Sequence, residues 1–161
     1  MYGQVWKFLM ERLFDRDRTV PQVAMSLEPG EMTTEADSSS SESASKIQWT
    51  IRVKLFNETS AAAADLGLVW RSGEPSFKAV LPYHLNPFEE KIVTIRGETS
   101  LARQKVDGTA DGELFEHLLE ELQATKLYLT YRDEKGDYFH TSYQRSDGQE
   151  SLEFHNKLPV S

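Results

Sequence analysis

Cysteine is absent from this 161-residue chain, which removes disulfides, thiolate metal ligands and a thiol nucleophile together. Zinc-finger and thioredoxin-like readings fall with it. Positive charge is also scarce: 18 Lys and Arg stand against 26 Asp and Glu, for a formal charge of -8. Nucleic-acid binding draws much of its free energy from Lys and Arg displacing counterions from phosphates, so nucleic acid is not expected as a partner. No apolar run approaches the ~20 residues needed to cross a bilayer. The stretch Met1–Phe14 mixes charges into its apolar pattern, unlike the basic head and clean apolar block of a secretory signal. A cytoplasmic protein is the expectation, with peripheral contact at a membrane as the open alternative.

What remains is enough to close a core. Hydrophobic residues make up 39% of the chain and aromatics 11%, which suits one folded domain with an attachment. The clearest local signal is a hairpin: Leu127–Tyr131 and Tyr138–Gln144 flank the polar turn Arg132-Asp133-Glu134-Lys135-Gly136-Asp137. Trp49, Ile51, Val53 and Leu55 alternate with Thr50, Arg52 and Lys54, as a half-buried antiparallel strand does. Shorter strands are expected at Val23–Leu27, closed by Pro29-Gly30, then at Leu66–Trp70, around Phe77, Ala79 and Leu81, at Lys91–Arg96 and at Ser151–Phe154. Trp49 and Trp70 read as core aromatics, Trp70 being the more exposed of the two beside Arg71.

Three segments break this pattern. Tyr2, Val5, Trp6, Leu9 and Leu13 follow helical spacing and Phe14 widens the stripe, so residues 1–18 read as an amphipathic attachment helix that ends before Pro21. Residues 31–46 turn abruptly to Ser, Glu, Thr and Ala, as in a flexible acidic loop. One helix is expected near 112–124, capped by Asp111, with Leu114, Phe115, Leu118 and Leu122 as its buried stripe. The β-rich domain is thereby placed at 20–156, with 157–161 fraying.

About eight short strands with regular turns are compatible with a Greek-key β-sandwich. Three stretches carry a family resemblance. Ile51–Thr59 is similar to a V-x-V-x-N-x-G/S strand, Leu81–Glu90 to an L-x-P-G-E turn, and Leu129–Tyr138 to a Y-x-D-x-x-G-x-x-Y hairpin. In these the chain resembles immunoglobulin-like domains of small bacterial proteins of unknown function, many of them tethered at the membrane. The resemblance implies an immunoglobulin-like antiparallel sandwich. The chain departs from the pattern at Phe88, which stands where the turn usually takes glycine, and in having no apolar span ahead of the strands.

Chemistry-bearing residues form no strong motif. Glu113, His117 and Glu121 share a helical column that suits either a divalent ion or a solvated face. Asp133, Glu134, Asp137 and Asp147 crowd the last hairpin without the spacing of a calcium loop. Asn57-Glu58-Thr59 fits a glycosylation acceptor but reads as a turn. No catalytic residue, metal or cofactor is therefore assigned. The expectation is a non-enzymatic interaction module that meets a protein partner or a second copy through Tyr2, Val5, Trp6, Leu9, Leu13 and Phe14. Two alternatives stay open: a lipid surface bound by the same helix, and a hydrolase or carbohydrate-active accessory domain with a cleft at Tyr83, His84, Tyr131 and Asp133.

Overall fold

Alternation of apolar and polar residues drives two antiparallel sheets, seen in a computed structural model that describes residues 19–35, 44–70 and 79–159. The first sheet has three long strands, β1 (Val23–Glu35), β2 (Ala44–Asn57) and β5 (Glu90–Ala102), in the order β1-β2-β5. The second holds β3 (Ala63–Trp70), β4 (His84–Leu85), β6 (Lys126–Arg132), β7 (Tyr138–Ser146) and β8 (Gln149–His155), in the order β4-β3-β6-β7-β8. The fold is mainly β. The attachment stripe from Tyr2 to Phe14 lies outside the described residues.

Side chains of odd-numbered residues on β2 point inward, so Ile47, Trp49, Ile51, Val53 and Leu55 are buried while Gln48 and Arg52 face solvent. They meet Leu127, Leu129, Tyr131, Phe139 and Tyr143 from the other sheet in one core. Register carries the pattern across strands, with Ile51 opposite Ile95 and Val53 opposite Val93. Two helices follow β5: α1 (Arg103–Val106) and α2 (Asp111–Glu121). The stripe of α2 is the expected one with Leu119 added, and Leu118 and Leu119 are fully buried. Asp111 is the first helical residue rather than the cap. Ala110 occupies that position without a side-chain bond, and Asp111 and Glu113 favour the positive helix end through charge alone.

Several local expectations are corrected. Pro29-Gly30 does not end β1; it forms a bulge in which Gly30 and Glu31 oppose the single residue Thr50. Proline is tolerated there because a bulge interrupts the ladder. The strand then resumes, pairing Met32 with Trp49 and reaching Glu35, while β2 begins at Ala44. Residues 31–35 and 44–46 are thus strand rather than acidic loop, leaving 36–43 outside the described residues. Ala79 and Leu81 pack against the core without forming a strand, Phe77 lies outside the described residues, and among the described residues between β3 and β5 pairing is limited to His84–Leu85. Trp49 and Trp70 are both core aromatics as expected, at 3% and 5% exposed; the Trp70 indole Nε1 donates to the Leu122 carbonyl at 3.3 Å and the end of α2 covers it.

Gly97 sits directly over the Trp49 indole, whose Nε1 donates to Thr99 Oγ1 at 3.0 Å. A Cβ at position 97 would overlap the six-membered ring, and the ring cannot retreat through a packed core. Gly97→Ala is therefore expected to cost about 1–3 kcal/mol, read as a lowered urea midpoint with unchanged m-value. An unchanged midpoint would show that the Trp49 ring is free to shift.

Candidate functional site

The three-stranded sheet has two edges, and they are treated in opposite ways. On β1, the Val23 carbonyl accepts from Thr141 Oγ1 at 2.6 Å and the Val23 N–H donates to the Tyr131 hydroxyl at 3.3 Å. Four residues on, the Leu27 N–H donates to Glu150 Oε2 at 2.9 Å and the Leu27 carbonyl accepts from Arg145 Nη1 at 3.0 Å. Side chains of β6, β7 and β8 thus stand in for a missing neighbour strand. The second sheet seals the edge of the first.

Arg145 is the hub of this seal. Its guanidinium makes a forked contact with Glu116 on α2, Nε to Oε1 at 2.8 Å and Nη2 to Oε1 at 2.7 Å, and lies 5.1 Å from the Phe115 ring centre. Its Nη1 also pairs with Glu150 Oε2 at 3.3 Å, and Glu150 Oε2 accepts a hydrogen bond from the Tyr143 hydroxyl at 2.6 Å. The Arg145 side chain is only 9% exposed, so these partners replace most of its water. Burial, with the hydrogen bond to Glu150 adding to it, pushes the Tyr143 hydroxyl well above its ordinary range. Burial likewise raises Tyr131, against the opposing pull of its Thr141 and Val23 hydrogen bonds.

Among the described residues the β5 edge is open. Asn57 N donates to Glu89 O, which sets the parity of the ladder: odd-numbered residues of β2 and β5 turn their backbone groups toward each other. Even-numbered residues of β5, from Glu90 to Ser100, therefore present N–H and C=O outward. Among the described residues no strand pairs with that edge. The side chains of these same residues lie on the outer face of the sheet, where a groove of about 780 Å³ crosses from the Pro29–Glu31 bulge to Thr94, Arg96 and Glu98. Ion pairs dress the face, Arg52–Glu28 at 3.6 Å, Lys54–Glu90 at 3.4 Å and Lys46–Glu98 at 3.1 Å, each exposed enough to contribute at most about 1 kcal/mol. Arg96 has no carboxylate partner among the described residues. Ile92 is 52% exposed.

Loops at one end of the molecule bring His84 and Asp133 to a smaller recess of about 280 Å³, together with Asn86, Glu134 and Lys135. Tyr131 does not join them: it is fully buried and bonded to the β1 edge. Tyr83 is exposed and takes a hydrogen bond from Arg132 outside the recess lining. The Asp133 carboxylate is occupied by the turn, accepting from the Lys135 and Asp137 N–H groups at 2.9 Å each. Phe88 has φ of 55°, a glycine-like backbone in a turn held by Glu89 Oε1 on the Asn86 N–H. That bond, with Lys91 nearby, holds the Glu89 carboxyl below its usual range. Asn57 is wholly buried, donating to the Ala61 and Leu85 carbonyls, and works as a turn residue. Among the described residues no group of three or more His, Asp or Glu is placed to hold a metal ion, including the Glu113, His117 and Glu121 column.

Arg145, Glu150 and Thr141 escape sequence reasoning because their partners on β1 are 118 to 123 positions away. Their only local trace is the Asp147-Gly148 hairpin turn, with φ of 51° and 78°, which sets Glu150 opposite Arg145. In comparison with known proteins, no family model, no curated protein and no solved structure matches this chain.

Two outcomes follow from the seal. Arg145→Met leaves Glu116 and Glu150 facing one another without a cation and strands the Leu27 carbonyl, so it is expected to cost about 3 kcal/mol in urea unfolding. A loss under about 1 kcal/mol would mean that water replaces the guanidinium without penalty. The second outcome concerns pH. A tyrosine whose folded pKa is raised keeps its proton after the unfolded chain has lost it, so stability is full below pH ~10 and declines as pH rises beyond it. Tyr143→Phe should flatten that alkaline decline, and a decline of equal steepness in the variant would contradict the assignment.

Proposed function

We propose that this chain is a non-enzymatic interaction and assembly module, built on an immunoglobulin-like β-sandwich and attached through the stripe Tyr2, Val5, Trp6, Leu9, Leu13 and Phe14. The strand order supports the architecture. First, second and fifth strands share one sheet, while the third, fourth, sixth and seventh lie together in the other, the crossover pattern of immunoglobulin-like domains, with β8 as an addition. A buried tryptophan on the third strand, Trp70, is a further point of likeness.

One observation carries the functional reading: a buried charge cluster is turned inward to hold β1, while the long β5 edge, unpaired among the described residues, faces outward. An open edge is recognition surface, since main-chain hydrogen bonds supply affinity and alternate side chains supply choice. The apolar stripe in residues 1–18 needs burial in turn. Its cations Lys7, Arg12, Arg16 and Arg18 are offset by Glu11, Asp15 and Asp17, which favours a protein contact over an anionic lipid surface. No helix among the described residues is long and apolar enough to cross a membrane.

The full chain carrying Trp6→Glu and Leu9→Glu tests the reading by sedimentation velocity and by flotation with neutral and anionic vesicles. The wild-type chain is expected to sediment as a species heavier than one copy, the variant as a lighter one, and neither to float. Equal masses would contradict attachment through the stripe. Flotation of the wild type alone would replace the protein contact by a lipid surface.

A further inference from the structure

We propose that the open β5 edge is completed by the β5 edge of a second copy, giving a continuous six-stranded sheet across a two-fold axis; this rests on reading the chain as an assembly module and names the partner of one of its surfaces. The parity of the ladder requires even-numbered residues of one β5 to face even-numbered residues of the other, because only these carry outward N–H and C=O groups. Antiparallel self-pairing then leaves a few registers, and charge decides among them. Centring the axis on Thr94 sets Glu90 against Glu98, and centring it on Arg96 sets that guanidinium against itself. Both place like charges directly opposite one another, which destabilises a strand pair. Centring it on Ile95 leaves Ile92 opposite Glu98.

Centring on Val93 sets Arg96 opposite Glu90 twice by symmetry, and Ile92 opposite Thr94 twice. Arg96, which has no carboxylate partner among the described residues, gains one. The two Ile92 side chains become diagonal neighbours on the outer face and cover one another. Lys91, which points to the inner side of the strand, is held back along its own chain by the His84 carbonyl at 3.1 Å and Glu89 at 3.6 Å, away from the new strand pair. A centre at Gly97 also matches Arg96 with a glutamate, Glu98, but it brings the partner strand alongside the end of β5 where α1 begins at Arg103. The Val93 register uses only residues 90–96 and avoids that end. Such a contact is isologous and closed, so it stops at two copies.

Sedimentation equilibrium of the full chain, in the wild-type and in the W6E/L9E background, measures it. The second background isolates this contact from the N-terminal stripe. A rise from one copy to two with concentration is expected in the W6E/L9E background, and heavier species in the wild type, where the stripe adds its own contact. Arg96→Glu and Glu90→Arg alone should each weaken the association by about tenfold or more, since each opposes like charges, and the double variant should restore it. Thr94→Pro deletes an outward N–H without touching the β2 ladder and should abolish the dimer; circular dichroism reports whether it folds, and the charge exchange decides if it does not. A chain that stays monomeric at every concentration, a dimer that survives Thr94→Pro, or a double variant no tighter than the singles would overturn the proposal. Loss of association in W6E/L9E with no effect of Arg96→Glu would overturn it while leaving the stripe as the assembly surface.

Discussion

The capping of β1 by side chains of the other sheet is the constraint on which the remaining architecture rests. A three-stranded sheet has two rows of unpaired backbone groups, and a buried N–H or C=O without a partner costs on the order of 1–3 kcal/mol. Here Tyr131, Thr141, Glu150 and Arg145 supply those partners at Val23 and Leu27. The same contacts fix how the two sheets sit on each other, because each capping group belongs to a strand whose own register is set by the second sheet. Hydrophobic burial holds the layers together without specifying their alignment. The polar seal specifies it.

Placing an arginine at the hub has a thermodynamic logic. A lone guanidinium at this depth would be costly, but the fork to Glu116, the pair with Glu150 and the bond to the Leu27 carbonyl use its donors in several directions. Through Glu116 the hub also reaches α2, so helix, edge strand and second sheet meet at one side chain. The helix in turn covers Trp70 through Leu122. Substitutions around this point will not behave independently, because the groups share partners.

Sequence reading recovered what local chemistry dictates. Alternation at Trp49–Leu55, the 127–144 hairpin and the stripe Leu114, Phe115, Leu118 and Leu122 all stand close to where their periodicity put them. Phe88, which departs from the glycine usual in such a turn, nonetheless adopts a glycine-like backbone with φ of 55°, and the residue type alone does not announce it. Sequence reading failed where geometry is set by distant residues. Pro29-Gly30 looks like a strand stop in isolation and becomes a bulge because Thr50 Oγ1 accepts the Glu31 N–H at 2.6 Å. Trp70 is a core aromatic, as its strand pattern suggests, but the partner that covers it, the end of α2 at Leu122, is remote in sequence. The candidate site was the least legible part: which strand edge is open depends on strand order, and strand order leaves no mark on any single strand.

One sheet therefore carries a closed side and an open one, and the functional reading follows from that asymmetry rather than from any reactive side chain. Amide hydrogen exchange, resolved by residue and recorded at low protein concentration, tests the asymmetry most directly. The account predicts that the Val23 and Leu27 amides exchange only with global unfolding, while those of Ile92, Thr94 and Arg96 exchange orders of magnitude faster. Equal exchange at the two edges would contradict it, by showing that the side-chain seal on β1 does not exist in solution.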